Sequence, residues 1–330
     1  MNSRPLVSVI IPTYNRAGII CETIDNMFQQ TYSNFELIIV DDGSTDNTEA
    51  NLRQYGDRIQ VVTQDTAGPA VARNHGVKVA RGEIIAFQDS DDLWKPTKLE
   101  RQVQLLEKDK SIPCCLCNII LRVVDGREHT SFDDSLIYPH YEEGIWLNVP
   151  EVLATRFVFF NQAVAIRREA WEKVGGFDET LKYLEDHDLP LRLSLEGPWA
   201  FIREPLVIYS NDSPLSFSQT VSKDSIVSKN CDLKILERIL VMSNNKPGRA
   251  SFQKLIIRRM RMIRREIRAI EFGKNALWGA QAIARFLLQA ERYRRAVFRR
   301  SPSFPKAVII PIPPPKLASS ARLIRERGIS

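Results

Sequence analysis

The stretch Ile84-Ile85-Ala86-Phe87-Gln88-Asp89-Ser90-Asp91-Asp92 carries an apolar strand directly into three carboxylates. Carboxylates this close repel one another, and each raises the pKa of the others unless a cation lies among them. No Lys or Arg follows until Lys95, so a divalent metal is a suitable cation, and oxygen ligands favour Mg²⁺ or Mn²⁺. Because Mg²⁺ is usually held by one or two carboxylates and by substrate phosphates, the stretch predicts a diphosphate-bearing substrate. A solvated acidic turn is the alternative.

Apolar runs upstream of this stretch predict three further strands: residues 6–11, 35–40 and 58–63. Polar residues follow the first strand at Pro12-Thr13-Tyr14-Asn15-Arg16 and the second at 41–48. Apolar residues at helical spacing lie between the strands, which predicts an α/β fold with a mostly parallel sheet flanked by helices. Ligands of such sheets bind outside the carboxyl ends of the strands, so these polar ends should converge on one site.

Two common nucleotide-binding classes are excluded, because the chain contains neither a Gly-x-Gly pair nor a Gly-x-x-x-x-Gly-Lys loop. Six motifs instead occur in a fixed order: Pro12-Thr13-Tyr14-Asn15-Arg16, Val40 to Asp46, Ala72-Arg73-Asn74-His75-Gly76, Asp89-Ser90-Asp91-Asp92, Gly175-Gly176-Phe177-Asp178-Glu179 and Glu185-Asp186. In order and spacing the chain resembles the family 2 glycosyltransferases of the GT-A fold over about residues 5 to 215. The resemblance implies a Rossmann-like sheet and an inverting transfer from a nucleotide sugar.

The resemblance also implies which residues bind the nucleotide-sugar donor: Pro12, Tyr14, Asn15, Arg16, Asp41, Asp42, Arg73 and Asp89. In this interpretation Asp41 accepts a hydrogen bond from the base ring, as it would from a uracil, and Arg73 lies near the base and the diphosphate. Asp91 is the main metal ligand, and Asp89 reaches the donor sugar, the ribose or a metal-bound water. Structural alternatives remain open: Tyr14 closing a hydrophobic corner, Asp42 capping a turn or helix, and Arg73 as a surface cation.

Residues 157–193 should supply the acceptor side of the site. The resemblance implies that Asp186 is the general base that takes the proton from an acceptor hydroxyl. Alternatively, Glu185 and Asp186 merely begin a helix, where negative charge suits the helix dipole. Proline is tolerated only in the first turn of a helix, so Pro190 predicts a helix that begins near Asp188.

The 330 residues leave room for one large domain and an appendage. We expect a catalytic domain at 1–220, a helical connector at 221–245 and a basic extension at 246–330. No stretch reaches about 18 uninterrupted apolar residues, so no membrane-spanning helix is predicted. No signal peptide is predicted either, because the apolar run from Leu6 to Ile11 is short and Pro12 breaks it. Five cysteines without a secretion signal indicate reduced thiols and a cytoplasmic location, with Cys114 and Cys117 packed in a strand.

The basic extension differs sharply from the rest of the chain. Residues 246–330 carry 21 Lys and Arg against 4 Asp and Glu, whereas residues 1–245 carry 25 against 36. Apolar residues repeat at helical spacing over 256–270 and again over 277–288, which is typical of basic amphipathic helices. Such helices either bind an anionic membrane surface, here the inner face of the cell membrane, or pack on the catalytic domain. A nucleic-acid partner is disfavoured, because the extension shows no recognised binding motif.

Three classes of function fit these observations. The first is a metal-dependent hexosyltransferase that moves a sugar, as from a UDP-sugar, to a saccharide or lipid-linked acceptor in bacterial surface-polysaccharide synthesis. The second is a nucleotidyltransferase, although its usual Gly-rich N-terminal loop is missing from Pro12 to Arg16. The third is a non-catalytic module that binds nucleotide sugars, against which the joint presence of Asp89, Asp91 and Asp186 argues.

Overall fold

The computed structural model describes residues 4–122, 128–156, 161–181, 184–210, 226–244, 246–275 and 307–311. Its strands are β1 (Val7–Thr13), β2 (Phe35–Asp41), β3 (Gln60–Thr63), β4 (Ile84–Phe87), β5 (Leu93–Trp94), β6 (Cys114–Arg122), β7 (Glu128–Thr130), β8 (Glu143–Trp146), β9 (Val164–Arg167), β10 (Trp199–Tyr209) and β11 (Ile309–Ile310). Its α-helices are α1 (Ile20–Met27), α2 (Thr48–Arg53), α3 (Pro69–Val79), α4 (Lys98–Lys108), α5 (Ser131–Asp134), α6 (Val149–Leu153), α7 (Arg168–Val174), α8 (Glu185–Ser194), α9 (Ile226–Ser243) and α10 (Ala250–Asn275). Two short 3₁₀ turns lie at Gly56–Arg58 and Asn161–Ala163.

The described strands form one mixed sheet in the order β11-β8-β10-β6-β9-β4-β1-β2-β3, with β5 pairing with β10 and β7 with β6. Strands β3, β2, β1 and β4 are parallel, and β9 runs antiparallel between β4 and β6. The chain builds outward from β1 through β2 to β3 and then returns to β4 on the other side of β1. The carboxyl ends of β1 and β4 therefore flank the crevice in which open α/β sheets bind their ligands.

The central strands are continuously apolar because helices cover both faces of the sheet. Ile10, Ile38 and Phe87, on three adjacent strands, are completely buried. The three strands predicted upstream, and the strand that leads into the three carboxylates, begin and end within two residues of their expected positions. The predicted α/β fold is confirmed.

Helix α3 lies unusually close to β1, because Gly76 has no side chain. A Cβ atom at this position would lie 2.4 Å from Cγ2 of Ile10 and 3.1 Å from Cγ2 of Val40. Separations below about 3 Å require the neighbouring atoms to move, so the close packing depends on glycine. One helical turn earlier, Arg73 is thereby held at the edge of the crevice.

The predicted start of α8 near Asp188 is wrong. The helix begins at Glu185, directly after Leu184 in a left-handed conformation, and it contains Pro190 in its interior. Proline has no N–H to donate to the carbonyl of residue 186, and interior proline is therefore unfavourable in a helix. This helix nevertheless contains one. Contacts of Asp188 and Arg192 with distant parts of the chain, described below, hold the helix in place.

The basic extension is helical over α10 and packs on α9 and α6. Four residues of its first apolar stripe belong to the main core, together with Phe252 just before the stripe: Ile256, Met260, Ile263 and Ile267. Ile270, the last residue of the stripe, is half-buried. That stripe therefore packs on the rest of the chain, which is one of the two predicted alternatives. Most basic residues of α10 face outward, whereas Arg259 is partly buried against Asp232. The second stripe, 277–288, lies outside the described residues. None of the helices that the structure describes has both the length and the hydrophobicity needed to span a bilayer.

Cysteine packing agrees with the sequence analysis. Cys114, Cys115 and Cys117 are buried in β6, and all five cysteines are free thiols. Burial raises the pKa of each of the three buried thiols, so they remain protonated at neutral pH. These side chains serve as small apolar core residues.

Candidate active site

The loops that end β1 and β2 are joined through Asn15. The backbone N–H of Asn15 donates to Oγ of Ser44 over 2.9 Å, and its Oδ1 accepts from the N–H of Thr45 over 2.8 Å. Asn15 has φ +52°, a left-handed conformation that asparagine tolerates better than most residues. Pro12 is the last but one residue of β1, and Tyr14 is 47% exposed at the rim of the crevice. An aromatic side chain is thus accessible beside the two loops.

The two adjacent carboxylates that end β2 have different surroundings. Asp41 is buried, and its Oδ1 accepts from the N–H of Ser44 over 3.0 Å. Asp42 accepts hydrogen bonds of 2.8 Å from the backbone of Ala67 and Gly68 and from the Gln64 side chain, with both oxygens engaged. Asp42 therefore anchors the loop that leads into α3, as the turn-capping alternative describes. Its role in donor binding stays a prediction.

Arg73 lies between the acidic turn and α8. Its Nη2 donates to Oδ1 of Asp89 over 2.7 Å, and its Nη1 is 3.6 Å from Oε1 of Glu185. The side chain is buried, so the alternative of a surface cation is wrong. Burial opposes its charge, but the carboxylates of Asp89, Glu185 and Asp186 outweigh burial and raise the pKa of Arg73.

The buried guanidinium of Arg73 retains unused donors. Its Nε and Nη1 atoms have no hydrogen-bond partner among the described residues. Buried polar groups in native proteins nearly always have partners, so these two orphaned donors are suited to a bound water or ligand.

Among the three carboxylates of the acidic turn, Asp92 points into the body of the protein. It is completely buried, and its oxygens accept from Nε2 of Gln162 over 2.5 Å and from the N–H of Ser210 over 2.8 Å. Burial raises the pKa of Asp92 well above its usual range. This carboxyl group orients the turn and faces away from the crevice.

Asp89 and Asp91 form the remaining carboxylate pair. Asp91 lies 3.5 Å from the Arg16 guanidinium, and burial, followed by the charge of Asp89, raises the pKa of Asp91. No group of three or more His, Cys, Asp or Glu side chains suited to a metal occurs in the described part of the chain. Two oxygen-donor carboxylates nevertheless fit Mg²⁺ or Mn²⁺, because such an ion takes its other ligands from water and substrate phosphates.

Glu185 and Asp186 begin α8 on the same side of the sheet as the acidic turn. Arg73 is close enough to feel the charges of Asp89, Glu185 and Asp186 together. The structure thus brings the predicted base and the predicted donor-binding carboxylates to one crevice. Residues 157–160 of the expected acceptor side lie outside the described residues.

Sequence reasoning assigned no role to Glu185 or Asn74. Asn74 contacts the turn that precedes α8, and Glu185 is the second carboxylate beside Arg73. Both lie within motifs that carried the resemblance, next to residues that did receive a role. Their position in those motifs was the available signal.

The chain resembles known glycosyltransferases in sequence. The family model described as Glycosyl transferase family 2 matches residues 8–175. An uncharacterised glycosyltransferase of Rickettsia typhi is 35% identical over 186 residues, which cover 56% of this chain and 57% of that protein. The Escherichia coli UDP-Glc:alpha-D-GlcNAc-diphosphoundecaprenol beta-1,3-glucosyltransferase WfgD is 44% identical over 106 residues, covering 32% of this chain and 42% of WfgD. The chain thus spans little more than half the length of the first relative and less than half of the second.

Solved structures of glycosyltransferases share the fold. TarS 1–349 of S. aureus in complex with UDP-GlcNAc matches with a TM-score of 0.61 and 19% identity, covering 78% of this chain and 72% of that one. The mannosyltransferase PcManGT from Pyrobaculum calidifontis, in complex with GDP-Man and Mn²⁺, matches with a TM-score of 0.57 and 19% identity, covering 90% and 82%. At this identity the likeness concerns the fold alone, and it confirms the predicted GT-A architecture.

Proposed function

The chain belongs to glycosyl transferase family 2, and on that basis we propose that it transfers a sugar from a nucleoside-diphosphate sugar, a UDP-sugar, to a saccharide or lipid-linked hydroxyl with inversion. The observation that carries the proposal is the position of Arg73 between the Asp89 turn and the Glu185–Asp186 pair. One buried cation there faces both the donor side and the acceptor side of a single crevice.

The donor binds by its base and by its diphosphate. Tyr14 offers an accessible aromatic face at the rim, and Asp41 lies behind it at the end of β2. The orphaned Nε and Nη1 donors of Arg73 suit phosphate oxygens, since guanidinium groups bind phosphates through several parallel hydrogen bonds. Arg16, 3.5 Å from Asp91, adds a second cation on the same side.

Asp91 and Asp89 would hold the divalent ion. When bound, Mg²⁺ or Mn²⁺ supplies positive charge that neutralises the leaving diphosphate. Arg16 and Arg73 stabilise the same developing charge from fixed positions, which is where electrostatic catalysis is most effective. The complex of PcManGT with GDP-Man and Mn²⁺ supports a divalent ion in a related fold.

Asp186 acts on the acceptor. It takes the proton of the acceptor hydroxyl while that oxygen attacks the anomeric carbon from the face opposite the diphosphate. The bond between the anomeric carbon and the diphosphate oxygen breaks, its electron pair leaves with the nucleoside diphosphate, and the configuration inverts. A general base in this position contributes about 10²- to 10⁴-fold.

The basic outward face of α10 supports an acceptor that is carried by a membrane. WfgD, as its name states, uses a diphosphoundecaprenol-linked acceptor, which supports a lipid-linked substrate in polysaccharide synthesis. We define the arginine face as these exposed residues of α10: Lys254, Arg258, Arg261, Arg265 and Arg268. The structure gives none of them an ion-pair partner within its described ranges, so they remain available to anionic headgroups. Each such cation near an anionic membrane contributes about 1 kcal/mol, which favours peripheral attachment to the inner face of the cell membrane.

The decisive experiment supplies a panel of nucleotide sugars with Mn²⁺ and a lipid-linked saccharide acceptor. Release of nucleoside diphosphate together with an extended, inverted glycoside supports the proposal. Release of pyrophosphate would indicate a nucleotidyltransferase, and binding of donors without turnover would indicate a binding module. Asp186→Asn should abolish turnover while donor affinity, measured by calorimetry, stays within about twofold. Full activity in that variant contradicts the assignment of the base.

Vesicle flotation tests the arginine face. The full chain should float with phosphatidylglycerol vesicles and stay behind with phosphatidylcholine vesicles. A fourfold variant removes the face: Arg258→Gln, Arg261→Gln, Arg265→Gln and Arg268→Gln. A control variant removes four exposed cations elsewhere: Arg53→Gln, Lys78→Gln, Arg81→Gln and Lys110→Gln. Equal recovery of the two variants would remove this surface from the proposal.

A further inference from the structure

The two residues that follow Asp186 are both held by side chains from the C-terminal helices. His187 contacts Asp232 of α9 and Arg259 of α10, and Asp188 contacts Arg238 of α9. The beginning of α8 is therefore fixed from outside the region that the family model matches, residues 8–175.

The His187 ring is buried between two charged side chains. Nη1 of Arg259 lies 3.0 Å from Nε2 of the ring, and Oδ1 of Asp232 lies 3.4 Å from Nδ1. A guanidinium can only donate, so Nε2 must accept, and the ring proton lies on Nδ1 towards Asp232. Arg259 also donates to Oδ2 of Asp232 over 2.9 Å, which closes a triangle of contacts around one ring orientation.

The protonation states of His187 and Asp232 agree with these three contacts. Burial and the nearby Arg259 cation lower the pKa of His187, so the ring is neutral at neutral pH. Burial opposes the charge of Asp232, but contacts with His187 and Arg259 prevail and hold its pKa at about 2. The cluster thus consists of a neutral ring between a fixed anion and a fixed cation.

Asp188 provides the second attachment. Its carboxylate is completely buried and accepts from Nη2 of Arg192 over 2.6 Å and from Nη2 of Arg238. Arg238 also donates to Asp178 over 2.5 Å, and Arg192 donates to the carbonyl of Gly176 over 2.6 Å. Because a buried carboxylate without partners is strongly unfavourable, these contacts hold α8 against α9 and the preceding turn.

We propose that Asp232 and Arg259 are positioning residues that hold Asp186 in its reactive orientation by clamping the His187 ring. Asp186 and His187 share a peptide bond, so a ring held on two sides fixes the backbone from which the Asp186 side chain extends. A displacement of about 1 Å at a reacting group can cost about 10²-fold in rate. The C-terminal helix pair is therefore part of the catalytic apparatus. This inference rests on the proposed role of Asp186.

The test compares Arg259→Gln with Arg264→Gln. Each variant removes one arginine and one ion pair from α10, since Arg264 lies 2.8 Å from Glu237 on the solvent side. Arg259→Gln should lower kcat for transfer about tenfold or more, whereas KM for the donor and donor affinity by calorimetry change less than about twofold. Arg264→Gln should leave kcat unchanged. Equal kcat values for the two variants would overturn the proposal.

A second variant guards against a folding defect. Asp232→Asn preserves the shape of the side chain and removes only its charge, so kcat should fall about threefold to tenfold while the melting temperature stays close to that of the unsubstituted chain. If the melting temperature falls and kcat measured below it does not, the clamp is structural only and the proposal fails. Absence of transfer by the unsubstituted chain with every donor would instead refute the proposed function.

Discussion

Asn74 of α3 and Phe177 of the turn before α8 exchange two hydrogen bonds. Nδ2 of Asn74 donates to the carbonyl of Phe177 over 2.9 Å, and its Oδ1 accepts from the Phe177 N–H over 3.0 Å. Gly176, with φ +71°, brings the turn so close that a Cβ atom would lie 2.9 Å from Oδ1 of Asn74. The amide thus ties the helix that carries Arg73 to the segment that leads to the predicted base.

Asn74→Ala should destabilise the protein by about 1–3 kcal/mol, because the buried backbone groups of Phe177 lose their partners. Urea unfolding followed by circular dichroism measures the change. Asn34→Ala is the control, since the Asn34 side chain donates an exposed hydrogen bond to the carbonyl of Arg4 over 2.8 Å. If both variants lose the same stability, the amide does not anchor the turn.

The central sheet is predicted well because each of its strands is marked by a pattern of neighbouring residues. Continuous apolar runs ending in polar residues mark β1, β2 and β4, and helices flank them as the α/β pattern requires. The crevice at the carboxyl ends follows from topology, which predicts that the residues after β1, β2 and β4, Asp89 among them, lie together. The position of Asp186 beside them is implied by the family resemblance alone.

Directions of individual side chains depend on distant contacts and could not be predicted. Asp92 is turned into the body by Gln162 and Ser210, which are 70 and 118 residues away in sequence, whereas the neighbouring Asp91 lies beside Arg16. The predicted start of α8 near Asp188 is wrong because the restriction on Pro190 considers only the local sequence, whereas the helix begins at Glu185. Arg238 pairs with Asp188, and Arg192 donates to the carbonyl of Gly176, so contacts from other parts of the chain stabilise the helix.

Arg73→Met should weaken binding of UDP at least about tenfold, which corresponds to about 1.4 kcal/mol. The substitution keeps most of the buried volume but removes the two orphaned donors of Arg73, and it leaves Asp89 without its partner. Calorimetry with UDP and Mn²⁺ measures the affinity. Arg81→Met, at an exposed arginine paired with Glu36 just after α3, is the matched control. Unchanged UDP affinity in Arg73→Met would argue against a donor site at this guanidinium.

Asp91→Asn should reduce both Mn²⁺ binding in the presence of UDP and turnover, the latter at least about 100-fold, because charge neutralisation on the diphosphate is lost. Removing metal with EDTA should reduce the activity of the unsubstituted chain similarly, and added Mn²⁺ should restore it. Asp65→Asn, in an exposed loop, serves as the control. Paramagnetic resonance of free Mn²⁺ gives a readout independent of activity. Full turnover in EDTA would exclude a metal requirement.

Because Lys98 of α4 is buried, we expect a distinct dependence of the free energy of unfolding on pH. Its side chain is completely buried, with Nζ 2.8 Å from Oε1 of Gln102 and 3.5 Å from the ring centroid of Trp94. Burial lowers the pKa of Lys98 to about 8, compared with about 10.4 for a lysine in an unfolded chain. Between these values the unfolded state binds more protons than the folded state, so the free energy of unfolding rises with pH across this window. Below about pH 8 the penalty for burying the charge is fully present.

Lys98→Met should abolish that rise, which amounts to about 2–3 kcal/mol for a shift of this size. At pH 7 the variant should be as stable as the unsubstituted chain or more so, because removing the buried charge offsets the loss of a partner for Gln102. Urea unfolding at pH 7, 8, 9 and 10 measures both chains, and their difference isolates this lysine from other groups that titrate there. Lys108→Met, at the partly exposed end of the same helix, should leave the pH profile unchanged. If the profiles of Lys98→Met and the unsubstituted chain run parallel from pH 8 to 10, the folded chain keeps this amine charged across that range, and burial does not lower the pKa of Lys98.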